Sequence, residues 1–186
     1  HGLNKKLIES CYIASQEFFN LDFAIKNSYS ATASKGARGY TPNGIETAVG
    51  ETIADQKEFW HHGPNVDDSY NAKIPRNIKI SELPEFNHCF DKLFLELNEI
   101  GIRILSVIAL SLNLEKNFFK PWVEKGNSLL RAIHYPPVES SKNLYRARAH
   151  EDINLITLLI GAEEGGLEVL SKDNTWIKVN PSSDAI

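Results

Sequence analysis

From Phe86 to Leu112 the residues Phe86, Phe90, Leu93, Leu97, Ile100, Ile104, Ile108 and Leu112 recur at steps of three and four. That spacing keeps one face of an α-helix apolar for about seven turns at 3.6 residues per turn. A helix this long needs a broad partner layer to cover its stripe, so it reads as a scaffold around which other elements pack. Gly101 sits inside the stripe, where another element can approach closely. We assign the helix no chemistry.

The rest of the chain supplies candidates for that layer. Leu3, Leu7, Cys11, Ala14 and Phe18 form a second helical stripe over residues 3–19, with Asn4 as its N-cap. A shorter helix follows over residues 21–29. Then "SATASKGARGYTPNGIETAVGE" brings glycines, a proline and small polar residues, and reads as a long loop able to wall a binding site. Irregular sequence continues to about residue 84. Beyond "FFKPW" the texture changes. "SLLRAIHYPP" reads as a strand stopped by two prolines, "INLITLLIG" as a β-branched strand, and "GGLEVLSKDNTWIKVNP" as a hairpin turning at Lys172-Asp173-Asn174. Helices first and strands after make an α+β layout, or a helical layer supporting a β-sandwich.

At 186 residues the chain fits one domain. A net charge of −4 lacks the basic face that nucleic-acid binding needs. No run of residues is apolar for long enough to span a membrane, and none has the layout of a signal peptide. Cys11 and Cys89 lie in helical apolar patterns and read as buried free thiols, which suits a reducing cytoplasm. The chain begins "HGLNKK", contains no methionine, and stops where Ala185 and Ile186 look like the start of another strand. Both ends read as cuts through a larger domain.

The chemistry concentrates in "RARAHEDINLITLLI", residues 146–160. In a strand His150 and Asp152 share a face while Glu151 points away. An imidazole nitrogen and a carboxylate oxygen side by side suit a first-row divalent ion, and two histidines with one carboxylate are the facial set of non-haem Fe(II) oxygenases. On the triplet alone, an ion pair at the strand edge with Arg146 or Arg148 is the better reading. Adjacent His61 and His62 seldom converge on one ion and read as surface residues. Tyr40 and Arg38 border the substrate or are loop polarity. No Ser-His-Asp order, Cys-x-x-Cys pair or phosphate-binding glycine motif supports another chemistry.

The succession "LLRAIHYPP", "AHEDINLITLLI" and "GGLEVLSKDNTWIKVNP" resembles the 2-oxoglutarate/Fe(II)-dependent dioxygenases of the isopenicillin N synthase-like family. "HGL" before a helix, "FF" at that helix's end and the loop "GYTPNGIET" extend the resemblance over nearly the whole chain. It implies a double-stranded β-helix, or jelly roll, braced by N-terminal helices. Residues 1–125 form the helical and loop region of a single domain, and residues 126–186 the first half of the jelly-roll core. It places the first two metal ligands on His150 and Asp152, and puts Tyr135 on the distal carboxylate of 2-oxoglutarate. Strand alternation sends Arg131, Ile133 and Tyr135 inward together and His134 outward. Arg131 is a weaker candidate for the cosubstrate, since a solvated or paired arginine explains it better.

The resemblance also defines what is missing. The family's third ligand is a distal histidine, and an Arg-x-Ser pair clamps 2-oxoglutarate. No histidine follows Asp152 in this sequence. The expected function is a dioxygenase using Fe(II), 2-oxoglutarate and O₂ to oxidise a small molecule, most often by hydroxylation, with release of succinate and CO₂. This chain alone is expected to be inactive. Two rivals stay open: a non-catalytic binding module of the same fold, and an iron and O₂ oxidase that does without 2-oxoglutarate. The sequence names neither the substrate nor the oligomeric state.

Overall fold

A computed structural model describes residues 2–30, 36–47, 50, 52–137, 145–161, 165–180, 182 and 185–186. Parts of the glycine-rich loop and of the final stretch "WIKVNPSSDAI" therefore lie outside the described residues. The chain divides into two compact units, residues 3–151 and residues 152–186 with the first two residues.

In the larger unit, α1 spans Lys5–Phe19 and starts as its sequence predicts: the Asn4 side chain accepts a hydrogen bond from the Lys6 amide at 3.0 Å. A single turn and a half, α2 (Phe23–Ser28), follows. Strands β1 (Gly39–Thr41) and β2 (Glu58–His62) precede the long helix α3 (Pro84–Ser111), the short α4 (Lys120–Val123) and strand β3 (Leu130–His134). The sheet order is β1-β2-β3, antiparallel throughout, with Trp60 opposite Tyr40 on one side and Ala132 on the other.

The central strand carries no signal in the sequence. All five residues of β2 are buried, so it lacks the in-out alternation that marks a half-exposed strand. One face meets the helices. Trp60 is fully buried with Phe18 of α1 and Phe86 of α3 edge-on to it at 5.0 and 5.3 Å, and Phe86 stacks on Phe90 at 4.2 Å. Edge-to-face aromatic pairs add roughly 0.5–1.5 kcal/mol each beyond their area burial, so this cluster is what fixes β2 against α1 and α3. Cys11 and Cys89 are both buried and free where α1 packs on α3. A hydrogen bond between them, with burial second, pushes the Cys11 thiol up, so it stays protonated.

The stripe of α3 is only half used. Phe86, Phe90, Leu93 and Ile100 are buried as expected, but farther along Leu105 and Ala109 are buried instead of Ile104 and Ile108, and Leu112 is exposed. No helix among the described residues is long and apolar enough to cross a membrane.

The smaller unit contains the antiparallel hairpin of β4 (Glu168–Leu170) and β5 (Trp176–Lys178), with Leu170 opposite Trp176. Its turn falls on the polar residues the sequence indicates. Asn174 takes φ +63°, and the Ser171 amide donates to the Thr175 carbonyl at 2.9 Å. The expected strand "INLITLLIG" does not form: residues 152–161 carry no strand, and Ile153 is fully exposed. A strand needs a ladder partner for its amides and carbonyls, and no described segment pairs with this one.

Candidate functional site

Register divides the larger sheet into two chemical faces. Phe59, His61, Arg131 and Ile133 share the face away from the helices, while Glu58, Trp60, His62, Ala132 and His134 share the helix side.

On the helix side the polar groups hold the fold. Glu58 accepts from Lys26 Nζ at 2.9 and 3.1 Å, from the Tyr40 hydroxyl, and from His134 Nδ1 at 2.8 Å. Burial alone raises its pKa, but these donors outweigh it and hold the carboxyl below its usual range. His134 also stacks on Phe19. His62 is fully buried and donates from Nε2 to Asp91 of α3 at 2.7 Å. Arg38 is fully buried, crossing Gly63 to reach Asn127 Oδ1 at 2.7 Å, and a Cβ on Gly63 would lie 2.0 Å from its guanidinium. Two expectations are corrected here. His61 and His62 are core residues of a doubly covered strand, turned to opposite faces, and Tyr40 and Arg38 are buried groups bonded to Glu58 and Asn127 rather than loop polarity.

The opposite face carries a different network. His61 donates from Nδ1 to the Gly36 carbonyl at 2.7 Å and accepts at Nε2 from Arg131 Nε, also at 2.7 Å. That second bond requires a neutral ring, and burial supplies one by lowering the His61 pKa to about 4. The Arg131 guanidinium lies over the Phe59 ring at 4.3 Å, and its two terminal nitrogens fork onto the Glu46 carboxylate at 3.2 and 3.3 Å. Lys57 Nζ lies 2.6 Å from Glu46 and 3.1 Å from Asp55. Tyr135 is held above its ordinary pKa, mainly by burial, with Lys57, Asp55, Arg131 and Glu46 all acting on it. Arg131 is thus a paired arginine. Glu46 and Lys57 escape a reading of the sequence: a loop carboxylate and a strand-end lysine give no local signal of a long-range ion pair.

The same cluster anchors the segment leading to His150. The Arg148 amide donates to Asp55 Oδ1 at 3.2 Å, and the Gln56 amide to the Tyr145 carbonyl at 3.0 Å. His150 itself is exposed and bonds through Nδ1 to the Arg148 carbonyl at 2.7 Å. A carbonyl only accepts, so Nδ1 carries the proton and Nε2 carries the lone pair of the neutral ring. Metal-binding histidines are held this way, with the second nitrogen on a carbonyl fixing tautomer and orientation. Asp152, in the smaller unit, accepts from the Thr157 hydroxyl. Neither residue is on a strand. Among the described residues no group of three or more His, Cys, Asp or Glu side chains is placed to hold a metal ion.

Comparison with known proteins bears on this arrangement. Residues 1–82 match the family model described as non-haem dioxygenase in morphine synthesis N-terminal, and residues 126–186 match that of the 2OG-Fe(II) oxygenase superfamily. The chain belongs to the 2OG-Fe(II) oxygenase superfamily. Its relatives in the superfamily include a 2-oxoglutarate-dependent dioxygenase of Acremonium sp, 28% identical over 207 residues that cover 100% of this chain and 61% of the relative. The protein DOWNY MILDEW RESISTANCE 6 of Arabidopsis thaliana is 28% identical, with 100% of this chain and 52% of that protein covered. Among solved structures, a 2OG-Fe(II) oxygenase family protein from Caulobacter crescentus is 42% identical, with a TM-score of 0.85 over 98% of this chain and 59% of its own. A full-length Neurospora crassa protein, solved in complex with α-ketoglutarate, is 26% identical with a TM-score of 0.81, covering 99% of this chain and 59% of that one. The superfamily member described here thus spans 52% to 61% of the length of these curated relatives.

Proposed function

We propose that this chain is part of a non-haem Fe(II), 2-oxoglutarate-dependent dioxygenase that hydroxylates a small molecule, its strands belonging to a jelly-roll core. The reading rests on the superfamily match across residues 126–186, which contains His150 and Asp152 in the order His-x-Asp. The fixed tautomer of His150 adds support, because the nitrogen that carries the lone pair is the one a metal needs. A nitrogen and an oxygen donor fit Fe(II) in kind, and among the described residues no third ligand completes the facial set.

In this reading His150 and Asp152 hold the metal, and Tyr135 donates its hydroxyl to 2-oxoglutarate. Its raised pKa keeps that hydroxyl protonated and able to donate. Arg131 brings a guanidinium whose two terminal nitrogens already hold one carboxylate, that of Glu46. Bound Fe(II) supplies the O₂ chemistry that couples decarboxylation of 2-oxoglutarate to oxidation of a substrate C–H bond. The protein's share is placement of the metal ligands and of the cosubstrate.

The test is succinate formation from 2-oxoglutarate under Fe(II) and O₂, in a protein of the relatives' length carrying this chain. His150→Ala and Asp152→Ala should each abolish it while leaving the far-ultraviolet circular dichroism unchanged, since both side chains are exposed. Succinate formation near the wild-type rate in both variants would refute the assignment.

A further inference from the structure

The Arg131–Glu46 pair has the form of a receptor holding its own ligand. Three contacts prepare the guanidinium before any partner arrives. Phe59 lies beneath its plane at 4.3 Å, neutral His61 accepts a hydrogen bond from Nε–H at 2.7 Å, and the strand fixes its Cα opposite His61. What is left facing outward is the pair of terminal nitrogens, the edge that matches a carboxylate in two parallel bonds. Lys57, almost wholly buried, brings a second cation to the same carboxylate at 2.6 Å. The group that fills this place is Glu46, carried on a loop, with a side chain still 36% exposed. Its backbone is pinned independently by a bond from the Asp55 amide to the Glu46 carbonyl at 3.0 Å. The side chain can therefore swing out by rotation about its own bonds without unfolding the loop.

Charge counting favours exchange over simple loss. With Glu46 in place, Arg131 and Lys57 are balanced by Glu46 and Asp55. With Glu46 turned to solvent, Lys57 keeps Asp55 and Arg131 is left one negative charge short. We propose that the Arg131 fork, backed by Lys57, is a recognition site for a ligand carboxylate, and that Glu46 occupies it as an internal substitute until such a ligand displaces it. In the dioxygenase reading, on which this naming of ligands rests, the carboxylate belongs either to the small-molecule substrate or to 2-oxoglutarate.

Binding is measured without metal, so that the outcome does not depend on turnover. The probes are phenylacetate, its uncharged analogue phenylacetamide, and 2-oxoglutarate, titrated by calorimetry into wild type, Glu46→Gln, Glu46→Asp and Arg131→Met. Glu46→Gln removes the competing charge and should tighten a carboxylate probe about tenfold or more, the scale of one charge-assisted hydrogen bond. Glu46→Asp, which keeps the charge and shortens the reach, should fall between. Arg131→Met should abolish binding, and phenylacetamide should not respond to any of the changes. A gain for phenylacetate assigns the site to substrate, and a gain confined to 2-oxoglutarate assigns it to the cosubstrate. Should Glu46→Gln fail to fold, the ¹⁵Nε resonance of Arg131 in wild type reads the same exchange on adding each carboxylate. No tightening of either carboxylate in a folded Glu46→Gln protein, a gain for phenylacetamide equal to that of the tightened carboxylate, or an Arg131 resonance unmoved by both carboxylates overturns the proposal. Absence of succinate formation would sink the dioxygenase reading and leave the phenylacetate result standing.

Discussion

Glu58→Gln is the perturbation whose size the structure best defines. Glu58 and Lys26 are paired at 2.9 Å with side chains only 9% and 10% exposed, and Lys26 has one further acceptor, the Phe19 carbonyl at 2.9 Å. The glutamine keeps the shape of the side chain and removes its charge. Lys26 then loses its charge partner where water hardly reaches, while Tyr40 and His134 lose a charged acceptor. Removing one member of a buried ion pair costs about 3–5 kcal/mol. Residual exposure and the Phe19 carbonyl favour the lower end, about 3 kcal/mol. For a domain of this size that lowers Tm by roughly 6–12 °C, measured by thermal and urea unfolding followed by circular dichroism. Adding Lys26→Met should recover most of the loss, because it removes the unpaired charge. A Tm within about 2 °C of wild type, or a double variant no more stable than Glu58→Gln, would refute the assignment of Glu58 as the hub of the helix-side network.

His61 gives the molecule a pH signature. Its pKa falls from 6.5 to about 4 on folding, so between those values the unfolded chain binds more protons and stability drops as pH falls, by about 3 kcal/mol in all. His61→Gln should flatten that slope between pH 6.5 and 4 in urea titrations, and an unchanged slope would mean that the ring is not buried neutral. Tyr135→Phe should raise the concentration of 2-oxoglutarate needed for half-maximal succinate formation by about tenfold or more, for one lost bond of about 1.5–3 kcal/mol to a charged group. An unchanged requirement would make Tyr135 a packing aromatic.

The elements that could be read from the sequence are those whose order is local. Asn4 caps α1 through a bond two residues away, α3 follows its own 3.6-residue period, and the β4–β5 turn is set by Ser171 to Thr175. What escaped was set by distant partners. Strand β2 is covered on both faces, so its sequence "EFWHH" has no alternation to betray it, and His61 and His62 look like surface groups. The far half of α3 follows the pattern without the burial, since no described element covers Leu112 or Val107. At the candidate site, alternation in "LRAIH" correctly separates Arg131 from His134, because strand geometry is local. The closing of Glu46 over Arg131 could not be seen, as it joins residues 85 positions apart. "INLITLLIG" has strand composition without a partner, and composition alone does not make a strand.

The most direct measurement is anaerobic calorimetry of Fe(II) binding, with and without 2-oxoglutarate, in the same relatives'-length protein and its His150→Ala and Asp152→Ala variants. If His150 and Asp152 hold the metal and 2-oxoglutarate chelates it, each of Fe(II) and 2-oxoglutarate should tighten the other by the same factor in the wild type. That mutual tightening should vanish in both variants, with Fe(II) affinity falling at least about tenfold. Equal Fe(II) affinity in all three proteins, or Fe(II) binding indifferent to 2-oxoglutarate in the wild type, would contradict the assignment of this chain to an iron and 2-oxoglutarate site.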